Sequence, residues 1–245
     1  MLNQEKLVDE VANFKKDAKK RFNAALAALL ALAWEYKDRL DEKKFSFEAN
    51  PELYNEALRI CREMSDGCAE DAQKRLFAIV EDALDYADED AAWEQVYDDA
   101  LERFDMAGSH LLELLAVWIG VAMVEKWTES YTKIMISRNL ANPFLCPEWN
   151  SIPLDALAWG RGYAKDISKQ LTLIGQNAIL GGARYAEWVD EQAKGAQYYV
   201  RHRGSNYPCE VCQELAEVPI PIDKPFEPSH GRCVCYPEYF YEPMP

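Results

Sequence analysis

The sequence predicts a mainly α protein: an elongated bundle of long helices followed by a small β-rich C-terminal module. Three observations carry this. Apolar residues recur at steps of three and four over long stretches of the first 194 positions. Eight of the twelve prolines fall at or after Pro208, where no long helix can continue. The run Ala196–Arg203 (AQYYVRHR) is aromatic and β-favouring. The boundary is placed at 195/196, giving a helical body over 1–195 and a small module over 196–245.

Residues 1–45 read as one helix. Leu7, Val11, Phe14, Ala18, Phe22, Leu26, Leu29, Ala33, Tyr36 and Leu40 fall on one face. Every residue from Ala24 to Trp34 is apolar, so this stretch asks for cover from more than one direction. Lys15, Lys16, Lys19, Lys20 and Arg21 read as its solvated face. Asn50-Pro51-Glu52 is a helix start: an N-cap residue, proline at the first helical position and an acid in the first turn. That helix is expected to run to about Ser65 and to break or kink at Asp66-Gly67. A further helix follows through Phe77, Ile79, Val80 and Leu84. It is expected to continue through the acidic window, where Trp93, Val96, Tyr97, Leu101 and Phe104 share a face. Another begins after Gly108-Ser109 and reaches about Leu140. Asn142-Pro143 and Cys146-Pro147 mark a loop, and Ser151-Ile152-Pro153 opens a helix to about Lys194.

The formal net charge is −15, from 27 basic and 42 acidic residues. The imbalance is local. Residues 81–105 hold eleven acids against one base, Arg103, whereas residues 1–48 are close to neutral. Residues 196–245 carry four bases and seven acids. No segment has the basic face that phosphate neutralisation requires, which argues against a general nucleic-acid binder. The most apolar stretch, Leu111–Val124, is fourteen residues long and contains Glu113. A span needs roughly 20 apolar residues, so no membrane span is expected. The charged amphipathic opening is not that of a signal peptide, and synthesis in a cytoplasm is expected. There the seven cysteines serve as thiols or metal ligands more readily than as disulfides.

Four of those cysteines fall within 27 residues, as Cys209-Glu-Val-Cys212 and, after seventeen residues, His230-Gly-Arg-Cys233-Val-Cys235. A Cys-x2-Cys knuckle offers two thiolates from one turn, and a second soft-donor cluster about twenty residues on completes a tetrahedron. Thiolate with imidazole selects Zn2+ among common metals. The candidate ligands are Cys209, Cys212 and His230 with one or both of Cys233 and Cys235. Disulfides and unligated thiols are the competing readings. A module of about fifty residues with so many turns buries little core, and a structural zinc would compensate. With five donors the sphere can close, so a structural site is favoured over a catalytic one. His110 and His202 read as structural or surface residues, and Cys61, Cys68 and Cys146 as small core residues. No catalytic set, phosphate loop or nucleophile elbow is present in the sequence.

The run Tyr198-Tyr199-Val200-Arg201, Cys209-Glu-Val-Cys212-Gln-Glu-Leu and Pro228-Ser-His230-Gly-Arg-Cys233-Val-Cys235 resembles the C-terminal signature of tailed-phage head morphogenesis proteins, the Mu-F-like minor head family. The resemblance covers about residues 160–240, including Gly175 and Gly181-Gly182. Ser229 stands where the family tends to have proline beside the histidine. The resemblance implies a non-enzymatic minor head protein of a virion or prophage. It would associate with portal or major capsid proteins in the capsid interior, assist DNA packaging or delivery, and meet packaged DNA only indirectly. Self-association is a further partner class. The rival readings are a zinc-stabilised nucleic-acid adaptor and a zinc-dependent hydrolase or toxin-like enzyme.

Overall fold

The structure, a computed structural model, describes residues 2–36, 47, 50–81, 83–124, 154–204, 209–226 and 234–244. Four long helices account for most of it: α1 (Gln4–Tyr36), α2 (Pro51–Glu81), α3 (Glu89–Val124) and α4 (Leu154–Ala193). They are followed by β1 (Tyr198–His202), the single turn α5 (Glu210–Glu214), β2 (Pro219–Pro221) and β3 (Tyr236–Phe240). The mainly α class with a small C-terminal sheet is therefore as the sequence predicts. Among the described residues no helix is long and apolar enough to cross a membrane. The expected helix over 37–45, the helix to Leu140, the loop at 142–147 with Cys146 and the start at 151–153 lie outside the described residues.

The chain folds as two compact units. One comprises Met1–Lys15, Ala69–Ala100 and Leu173–Pro245, the other Lys16–Cys68 and Leu101–Thr172. In the first, Leu7 and Phe14 of α1, Leu76 and Ile79 of α2, Ala92 and Trp93 of α3, and Ile179 and Ala183 of α4 are buried. Gly175 and Gly182 make this packing close. A Cβ on Gly175 would lie 2.0 Å from the Phe14 ring, and one on Gly182 would lie 2.4 Å from Leu76 and 3.1 Å from the Ala92 carbonyl. In the second unit Phe22, Leu29, Leu53, Cys61, Cys68, Phe104, Leu111 and Leu171 are buried. Burial pushes the Cys61 thiol up to about 12, as suits a small core residue.

Two sequence expectations fail on glycine. The helix does not break at Asp66-Gly67, and α3 runs through Gly108-Ser109 without interruption. Glycine in a helix costs about 1 kcal/mol relative to alanine. Here tertiary packing overrides that preference. The Arg21 guanidinium sits 2.6 Å from where a Cβ of Gly67 would be, and Ser65 Oγ sits 2.8 Å from that of Gly108. Ser65 also donates to the Phe104 carbonyl at 2.9 Å.

A third expectation fails on aspartate. The acidic window is not one continuous helix, because α2 ends at Glu81 and α3 begins at Glu89. Asp88 caps the new helix, its Oδ1 accepting from the Asp90 amide at 2.9 Å. Asp190 of α4 accepts from the Asp85 and Tyr86 amides, both at 3.0 Å, and so holds the intervening turn. Short acidic side chains that cap and bracket backbone amides stop a helix where apolar spacing alone would continue it.

The sheet has the order β2-β1-β3, antiparallel throughout. The Ile222 amide donates to the Gln197 carbonyl at 3.1 Å, which turns the odd residues of β1 toward β2. Tyr199 then exchanges bonds with Ile220, and Pro219 and Pro221 direct their imide nitrogens away from β1. The even residues of β1 face β3, so Pro237 likewise points outward. Both edges of the sheet carry prolines where a further strand would need N–H donors.

Candidate metal centre

Cys209 is the N-cap of α5, with an extended backbone (φ −131°, ψ 112°), and its Sγ accepts from the Cys212 amide at 3.4 Å. The Cys-x2-Cys spacing thus places both residues on one short turn. Cys212 and Cys235 are buried in a common core with Ala196, Tyr199, Phe226 and Tyr239, and Cys209 packs against it from the side. Cys235 reaches that core because it immediately precedes β3, the neighbour of β1. All three cysteines carry free thiols. His230 and Cys233 lie outside the described residues, and among the described residues no group of three His, Cys, Asp or Glu side chains is gathered closely enough to hold an ion. The structure therefore brings three of the five sequence candidates into one small core and leaves the ligand set open. An N–H directed at a cysteine sulfur is the kind of outer support that orients a thiolate ligand.

The wall of this core is α4, and it contains charged residues that apolar periodicity does not reveal. Arg184, Glu187, Asp190 and Glu191 are all buried. Glu187 accepts from Arg184 Nη1 at 2.9 Å and from the Leu2 amide at 3.1 Å. Arg184 Nη2 donates to Gln4 at 2.7 Å. The Tyr241 hydroxyl donates to Glu191, and Lys194 pairs with Asp190. Burial works to raise the Asp190 pKa. The hydrogen bonds from Lys194 and from the Tyr86 and Asp85 amides outweigh it and hold the carboxyl below its usual range. Tyr239 Oη is buried without a hydrogen-bond partner among the described residues. Burial first, and then the Glu187 charge, hold that hydroxyl far above the ordinary tyrosine range. The sequence signal for this wall is a set of polar residues at 184, 187 and 191, spaced as an apolar face would be.

His202, at the end of β1, stands between two carboxylates. Its Nδ1 lies 3.1 Å from Glu217 Oε1 and its Nε2 lies 2.7 Å from Glu238 Oε2. Both contacts are hydrogen bonds when the imidazole carries two protons. Glu217 adopts φ 61°, a left-handed conformation in which its amide also meets the Arg201 carbonyl at 3.2 Å. The Arg201 guanidinium lies over the Phe226 ring, 4.3 Å from its centroid. His202 and Arg201 thus tie β1 to the segment after α5 and to β3. His110 lies 5.7 Å, ring to ring, from Tyr163, whose hydroxyl donates to Glu113 at 2.7 Å.

Comparison of the chain with protein-family models, with curated proteins and with solved structures gives no match.

Proposed function

We propose that this chain is a non-enzymatic minor head protein of a tailed phage or prophage, acting at the portal vertex or capsid interior, with Zn2+ as a structural element of its C-terminal module. The observation that carries the reading is the convergence of Cys209, Cys212 and Cys235 on one small core that is also tied to α4. A metal held there would join β1, α5 and β3 where apolar area alone is scarce. The donor set suits zinc, and its sequence pattern is the one the minor head resemblance rests on.

The rivals are less well supported. Glu187, Asp190 and Glu191, the buried acids of the neighbouring helix, are committed to Arg184, Lys194, the Tyr241 hydroxyl and backbone amides, an arrangement that builds structure rather than presenting a general base. A nucleic-acid adaptor would need a basic surface, and residues 196–245 carry more acids than bases. The acidic helix α3 suits a basic patch on a portal or capsid partner, which it would attract at a distance.

Two measurements test the reading together: mass spectrometry of purified heads, and co-purification with the portal protein at low and high salt. Incorporation into heads with portal capture that weakens at high salt is the expected result. Absence from assembled heads and no portal binding at either salt would remove the assembly role.

A further inference from the structure

The all-apolar stretch of α1 is not wholly covered. Leu26, Leu29, Leu30 and Ala33 are buried, but Ala24 and Ala28 are exposed. They floor a groove of about 500 Å³ between α1 and α2, lined on the α2 side by Ile60 and Met64 and by Arg59, which is paired with Glu56 and Glu63. The α1 residues of this groove are arranged symmetrically about Ala28. Ala25 and Ala31 stand three positions away, and Ala24 and Leu32 four. Arg21 and Glu35, opposite in charge and both exposed, stand seven away.

We infer that this groove receives the α1 helix of a second copy of the chain, antiparallel, about a two-fold axis at Ala28. Charge complementarity selects this occupant. In an antiparallel pair centred on Ala28, Arg21 of each copy faces Glu35 of the other, and Ala24 faces Leu32. Within one copy the two charges are fourteen residues apart, about 21 Å along the helix, and do not meet. A two-fold contact must be self-complementary, and a sequence antisymmetric in charge about one residue, with small Ala24 set opposite large Leu32, meets that condition. Alanine at the centre allows two helix axes to approach to about 8 Å. Parallel pairing would instead set Arg21 against Arg21 and Glu35 against Glu35. Each copy carries −15, but that long-range repulsion is screened beyond about 8 Å at physiological salt. The inference draws on none of the cysteines and stands apart from the reading of the C-terminal module.

Sedimentation of the full-length protein between 1 and 100 μM at physiological salt tests it. The wild type is expected to dimerise in this range. Arg21→Glu and Glu35→Arg should each weaken the dimer about tenfold or more, since two ion pairs become two like-charge pairs. The double variant R21E/E35R should return to within about threefold of wild type. Because Arg21 also packs at Gly67, thermal melting of each variant checks its fold. Ala28→Glu, at an exposed position, supplies an independent disruption. A wild type that stays monomeric throughout overturns the inference. So does a dimer unaffected by Ala28→Glu, or one that the double swap fails to restore.

Discussion

Trp188 of α4 donates its indole N–H to the carbonyl of Ile222, 2.8 Å away. A side chain of the last long helix thereby satisfies a backbone acceptor just after β2, while its ring packs against the core that holds Cys212 and Cys235. Trp188→Phe keeps most of the packing and loses the bond. It should lower stability by about 1 kcal/mol. Trp188→Ala removes both and should cost about 2–4 kcal/mol. Denaturant titration followed by far-ultraviolet dichroism reads the difference. A Trp188→Phe variant as stable as wild type would show that the hydrogen bond contributes nothing beyond packing.

Asp190 makes an acid-sensitive contact within the same unit. Its folded pKa is lowered, so the stability it confers is fully present above the ordinary carboxylate pKa and is lost as pH falls through the folded value. Unfolding free energy should hold steady above about pH 5 and decline below about pH 4. Asp190→Asn should flatten part of that decline and cost about 1–2 kcal/mol at pH 7, because the amide oxygen still accepts from Asp85 and Tyr86. Asp190→Ala, which leaves two amides and Lys194 without their acceptor, should cost about 2–4 kcal/mol. Thermal or urea unfolding from pH 3 to 8 supplies the profile.

Much of the helical body was legible because burial follows a single period. Leu7, Val11, Phe14, Ala18, Phe22, Leu26, Leu29 and Ala33, placed on one face of α1 by spacing alone, are all buried. The errors lie where local chemistry and tertiary contact compete. Gly67 and Gly108 read as breaks because a sequence does not display the Arg21 and Ser65 side chains that fill the space beside them. Asp88 and Asp190 end a helix that apolar spacing would extend. The cysteine cluster was visible because ligand spacing is local within Cys209–Cys212. The buried wall of Arg184, Glu187 and Asp190 was not, since charge on a core-facing position is recognisable only once its partners, from Gln4 to Tyr86, are known.

Adjacent glycines in α4 should respond oppositely to one added methyl group. A Cβ at Gly181 meets only Val96 Cγ1, at 3.3 Å, whereas one at Gly182 collides with Leu76 and approaches a backbone carbonyl. Gly181→Ala should be neutral or stabilising by up to about 1 kcal/mol, from helix propensity. Gly182→Ala should destabilise by about 1–3 kcal/mol through overpacking, and Gly175→Ala, directed into the Phe14 ring, by at least as much. Melting temperatures of the three variants rank them directly.

Metal dependence follows from the proposed role of the cysteine core. The purified protein should hold close to one Zn2+ per chain, as structural zinc sites do. Cys209→Ser removes a sulfur that accepts from the Cys212 amide, and Cys212→Ser and Cys235→Ser each place a hydroxyl in an apolar core. Each should lower zinc affinity by at least about 100-fold, because a neutral hydroxyl replaces a thiolate donor. Tyr199 and Tyr239 lie in that core, so a strong chelator should change the near-ultraviolet dichroism of the aromatic residues. Far-ultraviolet helix signal should persist, since α1 to α3 have buried apolar faces in both units. Zinc content measured alongside both spectra separates the outcomes. Zinc retained at wild-type level in Cys209→Ser and Cys212→Ser would refute the assignment. Loss of most helical signal on chelation would mean that the metal holds the long helices together as well as the small sheet.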